Sequence, residues 1–105
     1  MNIVITSTGN TPDSKFDLRF GRAAYFCLYD TDVRTMEFIE NPYVDAQGGA
    51  GTKSAEKMIE LGVKRVISGD FGPKAKDLMD KFKIQMVILD NQDQSIESII
   101  AQFNN

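Results

Sequence analysis

Arg65–Leu89 reads RVISGDFGPKAKDLMDKFKIQMVIL. Two short apolar runs, Arg65-Val66-Ile67-Ser68 and Met86-Val87-Ile88-Leu89, flank a stretch in which Ala75, Leu78, Met79 and Phe82 recur at helical spacing. Apolar runs of this length bounded by turn formers suit buried strands, and the i, i+3, i+4, i+7 pattern suits an amphipathic helix. Pro73 stands where a helix start tolerates it, since the first helical amides lack intrahelical partners in any case. Lys76/Asp80 and Asp77/Lys81 then fall on the outer face as i, i+4 pairs, worth about 0.2–0.5 kcal/mol each. Strand, helix and strand in this order define a parallel β-α-β unit.

The same alternation continues on both sides. Upstream, Ala55, Met58 and Ile59 repeat at helical spacing, and Gly62 follows where a left-handed C-terminal cap belongs. Downstream, Ile96, Ile99, Ile100 and Phe103 form a third helical face, with Asp93 or Ser95 as its N-cap. At the N-terminus, Ile3-Val4-Ile5 reads as a buried strand that runs into the turn formers Thr6 to Asn10, and a loop continues to about Gly21. Ala24–Asp30 and Thr35–Glu40, joined by Thr31-Asp32-Val33, read as an antiparallel hairpin. Phe26 and Leu28 then share one face, and Tyr25, Cys27 and Tyr29 the other. Asn41-Pro42 ends the hairpin, because proline donates no ladder bond. The expected layout is an α/β fold of about five strands with helices on both faces.

Composition narrows the function. The 105 residues are one domain's worth, residues 1–105, and carry 42% hydrophobic and 26% charged residues. A net charge of −3 and a pI near 4.8 argue against a nucleic-acid partner, which calls for clustered basic residues. No apolar run approaches the ~20 residues that span a bilayer, and one cysteine cannot close a disulfide within the chain. The expectation is a cytoplasmic protein without membrane contact. Histidine is absent altogether, which removes the commonest general base and transition-metal ligand.

Ligands of open α/β sheets bind beyond the carboxyl ends of the parallel strands. Those ends are Thr6–Asn10, residues 69–73 and Asp90-Asn91, and the loop Gln47-Gly48-Gly49-Ala50-Gly51-Thr52 should lie beside them. Gly48, Gly49 and Gly51, running into a helix, suit a backbone that approaches an anion closely, or simply a tight or mobile loop. Thr52 and Gln47 stand at the two positions where a phosphate-binding Walker loop needs glycine, so that motif is excluded. The first strand offers no carboxylate for catalytic metal, which excludes a nuclease of the ribonuclease H type. Asp70 is the best-placed carboxylate, for site chemistry or as a turn cap. Arg19 and Arg22 flank Phe20-Gly21 and suit an anion, or equally a solvated surface. Cys27 alternates among bulky strand residues, as a buried structural thiol or as a metal-binding thiolate.

Phe16 to Phe26, Asp30, Glu40-Asn41-Pro42, Gly48-Gly49-Ala50-Gly51 and Gly69 to Ala75 together resemble the dinitrogenase iron–molybdenum cofactor biosynthesis domain. The resemblance covers essentially the whole chain. It implies a three-layer α/β/α fold of ribonuclease H-like topology with a mixed five-stranded sheet. It also implies a nitrogenase accessory factor-like role: binding or carrying iron–molybdenum cofactor or another iron–sulfur or molybdenum cluster. Many members carry histidine immediately before the Phe-Gly pair, where this chain has Arg19. Arginine cannot coordinate metal as imidazole does, but it attracts an anionic cluster, with Cys27 the only thiolate available. The expected function is therefore a non-enzymatic carrier of an anionic metallocluster. The alternatives are a protein-interaction or regulatory domain that no longer binds a cluster, or a small enzyme acting on a phosphorylated metabolite.

Overall fold

The computed structural model describes residues 1–103. Its strands are β1 (Asn2–Ser7), β2 (Tyr25–Asp30), β3 (Thr35–Glu40), β4 (Arg65–Ser68) and β5 (Gln85–Ile88). Its helices are α1 (Ala50–Leu61), α2 (Pro73–Lys81) and α3 (Ile96–Phe103). The strands form one mixed sheet in the order β3-β2-β1-β4-β5. β2 pairs antiparallel with both β1 and β3, whereas β1, β4 and β5 run parallel. The hairpin and the two β-α-β crossovers expected from the sequence are all present.

Period-2 alternation in the strands divides the core into two layers. Val4, Phe26 and Val66 point to one face, where α1 and α2 cover them with Ala55, Met58, Ala75 and Met79. Ile3, Ile5, Cys27, Tyr29 and Ile67 point to the other, covered by Ile96, Ile99 and Ile100 of α3 and by Phe16. Phe16 belongs to the long segment between β1 and β2, which is tied down at several points. Phe16 N–H donates to the Gln94 carbonyl, Asp17 N–H to Thr6 and Phe20 N–H to Asp70.

The ends of the helices explain where pattern and structure part. Gly62, at φ 70, closes α1: its N–H donates to Ile59 and that of Val63 to Met58. α2 closes in the same way, with Lys83 N–H donating to Asp80 and Ile84 N–H to Met79. Both are Schellman caps, which need one residue in the left-handed region. In α2 that residue is Lys83, at φ 60. Phe82, read from the spacing as the last residue of the buried face, is thereby moved past the helix end and left 52% exposed. A non-glycine residue in this conformation costs about 1–2 kcal/mol. Lys83→Gly is therefore expected to raise stability by about 0.5–1 kcal/mol, after allowing for the chain entropy of glycine. Thermal unfolding should record this as a rise of several degrees.

At α3, Ser95 rather than Asp93 is the cap, its Oγ accepting from Ser98 N–H at 3.1 Å. β5 begins one residue earlier than its apolar run, at Gln85.

Candidate functional site

Beyond the carboxyl end of β4 lies a cleft of about 330 Å³, lined by residues 19–22, Ala50, Gly51 and residues 70–72; the Thr6–Asn10 and Asp90-Asn91 ends do not reach it. Its floor is made by two Phe-Gly pairs distant in sequence. The Phe20 and Phe71 rings lie 5.2 Å apart between centroids, and Phe20 is completely buried. Gly21 and Gly51 meet edge to edge: a Cβ on Gly21 would lie 2.8 Å from the Gly51 nitrogen. A second hollow of about 280 Å³ shares Ala50, Gly51, Phe71 and Gly72 and extends along the starts of α1 and α2.

These two helix starts are built alike. Gly49 is the N-cap of α1 and Gly72 that of α2, and no side chain bonds to the first-turn amides of either. Neither first turn contains an acidic residue. Helix N-termini ordinarily favour a capping oxygen or a carboxylate, because their first amides are unsatisfied and the dipole is positive there. Here Lys74 lies in the first turn of α2, a placement the dipole disfavours. The starts of both helices therefore line one hollow without a capping side chain, and the carboxylate beside them, Asp70, accepts from the Gly72 N–H.

Arg19 stands at the rim. Its Nε and Nη2 donate to the two carboxylate oxygens of Asp17 at 3.1 Å each. Asp17 is 4% exposed and also accepts from the backbone N–H groups of Arg19 and Ala24. The hydrogen bonds to Asp17 raise the Arg19 pKa above its ordinary value, so the guanidinium stays charged. Its side chain is 63% exposed, and its remaining N–H groups project from a fixed base.

The other sequence candidates are distributed unevenly. Arg22 lines the cleft but spends its guanidinium on the Val44 and Ala46 carbonyls, at 2.7 and 2.8 Å, fastening the segment before α1. Asp70 also lines the cleft, and its Oδ1 accepts from Gly72 N–H at 3.2 Å, the turn-capping role. Gly51 contributes to the lining, and Gly49 sits at φ 72 as the helix cap. Gly48 lines neither hollow, and nothing lies within 4 Å of the place of its Cβ.

Cys27 is not brought to the cleft. It is fully buried on the α3 side of the sheet, and desolvation pushes its thiol up to about 12. A neutral buried thiol is a poor metal ligand, since coordination requires the thiolate. Native protein at pH 8.5 should accordingly resist alkylation by iodoacetamide, and react once unfolded in urea. Because the folded thiol ionises later than the unfolded one, its contribution to stability is intact below about 8.5 and lost as pH rises towards 12. The urea midpoint of wild type should fall through that window relative to Cys27→Val.

Three residues outside the site candidates drawn from the sequence hold the cleft together. Asp17 anchors Arg19 as described. Asn41, 3% exposed, donates through Nδ2 to the Gly21 and Ala23 carbonyls and accepts from Tyr43 N–H. Ser54 Oγ adds a second bond to the Gly21 carbonyl, at 3.1 Å. The Asp-x-Arg spacing at 17–19 and the repeated Phe-Gly pair were the available signals. Among the described residues, no group of three or more Cys, His, Asp or Glu side chains converges to hold a metal ion. The donors offered by the cleft are amide and guanidinium N–H groups, which suit an anion bound from outside its coordination sphere.

Fold and cleft together define a small α/β protein with an open cleft beyond the carboxyl end of β4. The chain belongs to the family described as dinitrogenase iron-molybdenum cofactor, which matches residues 1–105. It is similar in structure to the apo form of the orange protein from Desulfovibrio gigas, with a TM-score of 0.89 and 27% identity over 97% of this chain and 85% of that one. A candidate NifB protein from Thermotoga, solved by NMR, is also similar: TM-score 0.81, 27% identity, with the same coverage of 97% and 85%. An uncharacterized protein of Methanocaldococcus jannaschii, MJ0580, is 27% identical over 77 residues, 70% of this chain. The match spans 65% of that relative's length. Among the described residues, no helix is long and apolar enough to cross a membrane.

Proposed function

We propose that the protein is a non-catalytic carrier of an anionic metallocluster, iron–molybdenum cofactor or a related iron–sulfur or molybdenum cluster, held in the cleft beneath Arg19. The observation that carries this is that the starts of α1 and α2, neither with a capping side chain, line a hollow that adjoins the cleft floored by Phe20 and Phe71. Family membership supports the class of cargo. The first-turn amides of α1 and α2 would face the cluster's outer sulfur or oxygen atoms. The dipoles would favour its charge by about 0.3–1 kcal/mol each. The remaining N–H groups of Arg19 would add charge-assisted hydrogen bonds, and Phe20 and Phe71 would exclude water from one side. Asp70 bonds to its own turn and Arg22 to backbone carbonyls, which leaves no acid–base pair for catalysis in this reading.

Anaerobic titration with isolated iron–molybdenum cofactor, followed by gel filtration, tests the proposal. Wild type should retain the metal stoichiometrically, with an affinity that falls as salt is added. Arg19→Ala should weaken retention about 10- to 100-fold, the loss of one charge-assisted hydrogen-bonding partner. Cys27→Ala should leave retention unchanged if the protein is folded. Absence of retention by wild type, or equal retention by Arg19→Ala, would rule the cleft out as the cluster site.

A further inference from the structure

The two edges of the sheet are defended differently. β3 carries the exposed charged residues Glu37 and Glu40, and proline follows two residues later at Pro42. Such features discourage the addition of another strand. β5, the opposite edge, reads Gln85-Met86-Val87-Ile88 and carries no charge. Gln85 and Leu89 donate their N–H groups inward, to Lys64 and Ser68. Alternation then turns the N–H and carbonyl groups of Met86 and Ile88 away from β4. Ile88 is 67% exposed, a large aliphatic side chain at the carboxyl end of an open edge.

Beside this edge runs a groove of about 670 Å³ between β5 and α2, walled by Ile84, Met86 and Ile88 on one side and by Lys76 and Asp80 on the other. Lys76 and Asp80 lie one helical turn apart, and α2 runs back along the strand, so the cation lies near the Ile88 end and the anion near the Ile84 end. Asp70 also lines the groove, beyond the Ser68–Ile88 pair; under a two-fold axis, Lys76 of each copy meets Asp80 of the other.

We infer that β5 is a self-association edge whose occupant is β5 of a second copy of this chain. With the axis passing through Val87, Met86 and Ile88 of one copy lie opposite Ile88 and Met86 of the other. Their outward backbone groups then exchange hydrogen bonds in an antiparallel ladder, and the two five-stranded sheets join into one. Ile88 is covered by the other copy's Met86, and each Lys76 faces the other copy's Asp80. The contact is short and small beside stable interfaces, so the dimer is a weak, concentration-dependent one. The groove shares Asp70, Phe71 and Gly72 with the cluster cleft, but this inference rests on the open edge of β5 and not on the proposed cargo.

Sedimentation velocity from micromolar to millimolar protein tests it. The weight-average mass should rise from one chain towards two, and the amides of Met86 and Ile88 should become protected from exchange in the same range. Ile88→Lys changes an exposed side chain and should keep the fold while holding the protein monomeric. Lys76→Glu should weaken association, and Lys76→Glu combined with Asp80→Lys should restore it. A wild type that stays monomeric at millimolar concentration overturns the inference. So does a dimer that persists in Ile88→Lys, or one in which the amides of Met86 and Ile88 exchange freely.

Discussion

Phe20→Ala is expected to lower the free energy of unfolding by about 3–5 kcal/mol, the usual range for truncating a fully buried phenylalanine. Phe20 has no exposed surface and lies between the rings of Phe26 and Phe71, with centroids 6.1 and 5.2 Å away. It is also the floor of the cleft, so the void would open directly beneath the proposed ligand position. Domains of this size are stable by only about 5–15 kcal/mol, so the loss is a large share of the total. Urea denaturation should show the midpoint falling sharply while the slope stays near that of wild type. Phe20→Leu should recover part of the loss, because it refills much of the volume. A cost below about 1 kcal/mol for Phe20→Ala would show that Phe20 is not packed as described.

Gly69→Ala is expected to cost about 1–3 kcal/mol or more, for the opposite physical reason. A Cβ at this position would stand 2.6 Å from the Leu18 carbonyl oxygen and 2.8 Å from its Cα. Both are backbone atoms and cannot rotate away. Leu18 immediately precedes Arg19, and Phe20 N–H bonds to the Asp70 carbonyl one residue beyond Gly69. Relief of the clash would therefore push the Arg19 segment away from β4. The variant should show a lower melting temperature and, under conditions where it remains folded, weaker cluster retention than wild type. Retention equal to wild type in folded Gly69→Ala would mean that the placement of Arg19 is not critical.

What could be read from the chain alone was local. The two faces of β2 follow from alternation, and Phe26 and Cys27 indeed lie in different core layers. The helices follow from apolar spacing, and the end of α1 from Gly62. The end of α2 was misplaced because its left-handed residue is a lysine, a choice that leaves no compositional mark. The cleft was legible as a neighbourhood, since Arg19, Gly51 and Asp70 all come to its lining. Its internal wiring was not. The bonds of Asp17 depend on how the segment before β2 folds back over β1, and those of Asn41 on where the hairpin ends relative to Gly21. The pairing of Phe20-Gly21 with Phe71-Gly72 joins segments separated by most of the fold. Cys27 was open to either of two roles, and it is fully buried in the core layer on the α3 side of the sheet, outside the lining of the cleft.

The position of β1 has a further consequence for how the protein is made. β1 precedes the other strands of the sheet in the chain, yet it is the central one, and its parallel partner β4 begins only at Arg65. The β1-β2-β3 meander can assemble from neighbouring segments, but closing β1 against β4 requires a long loop to be fixed first. Contacts of that separation slow folding relative to local ones. Residues 19–22, 50–51 and 70–72 meet only at that late step. A chain in which β1 and β4 are not yet paired thus lacks the cleft, and loading of the proposed cargo there would follow their closure.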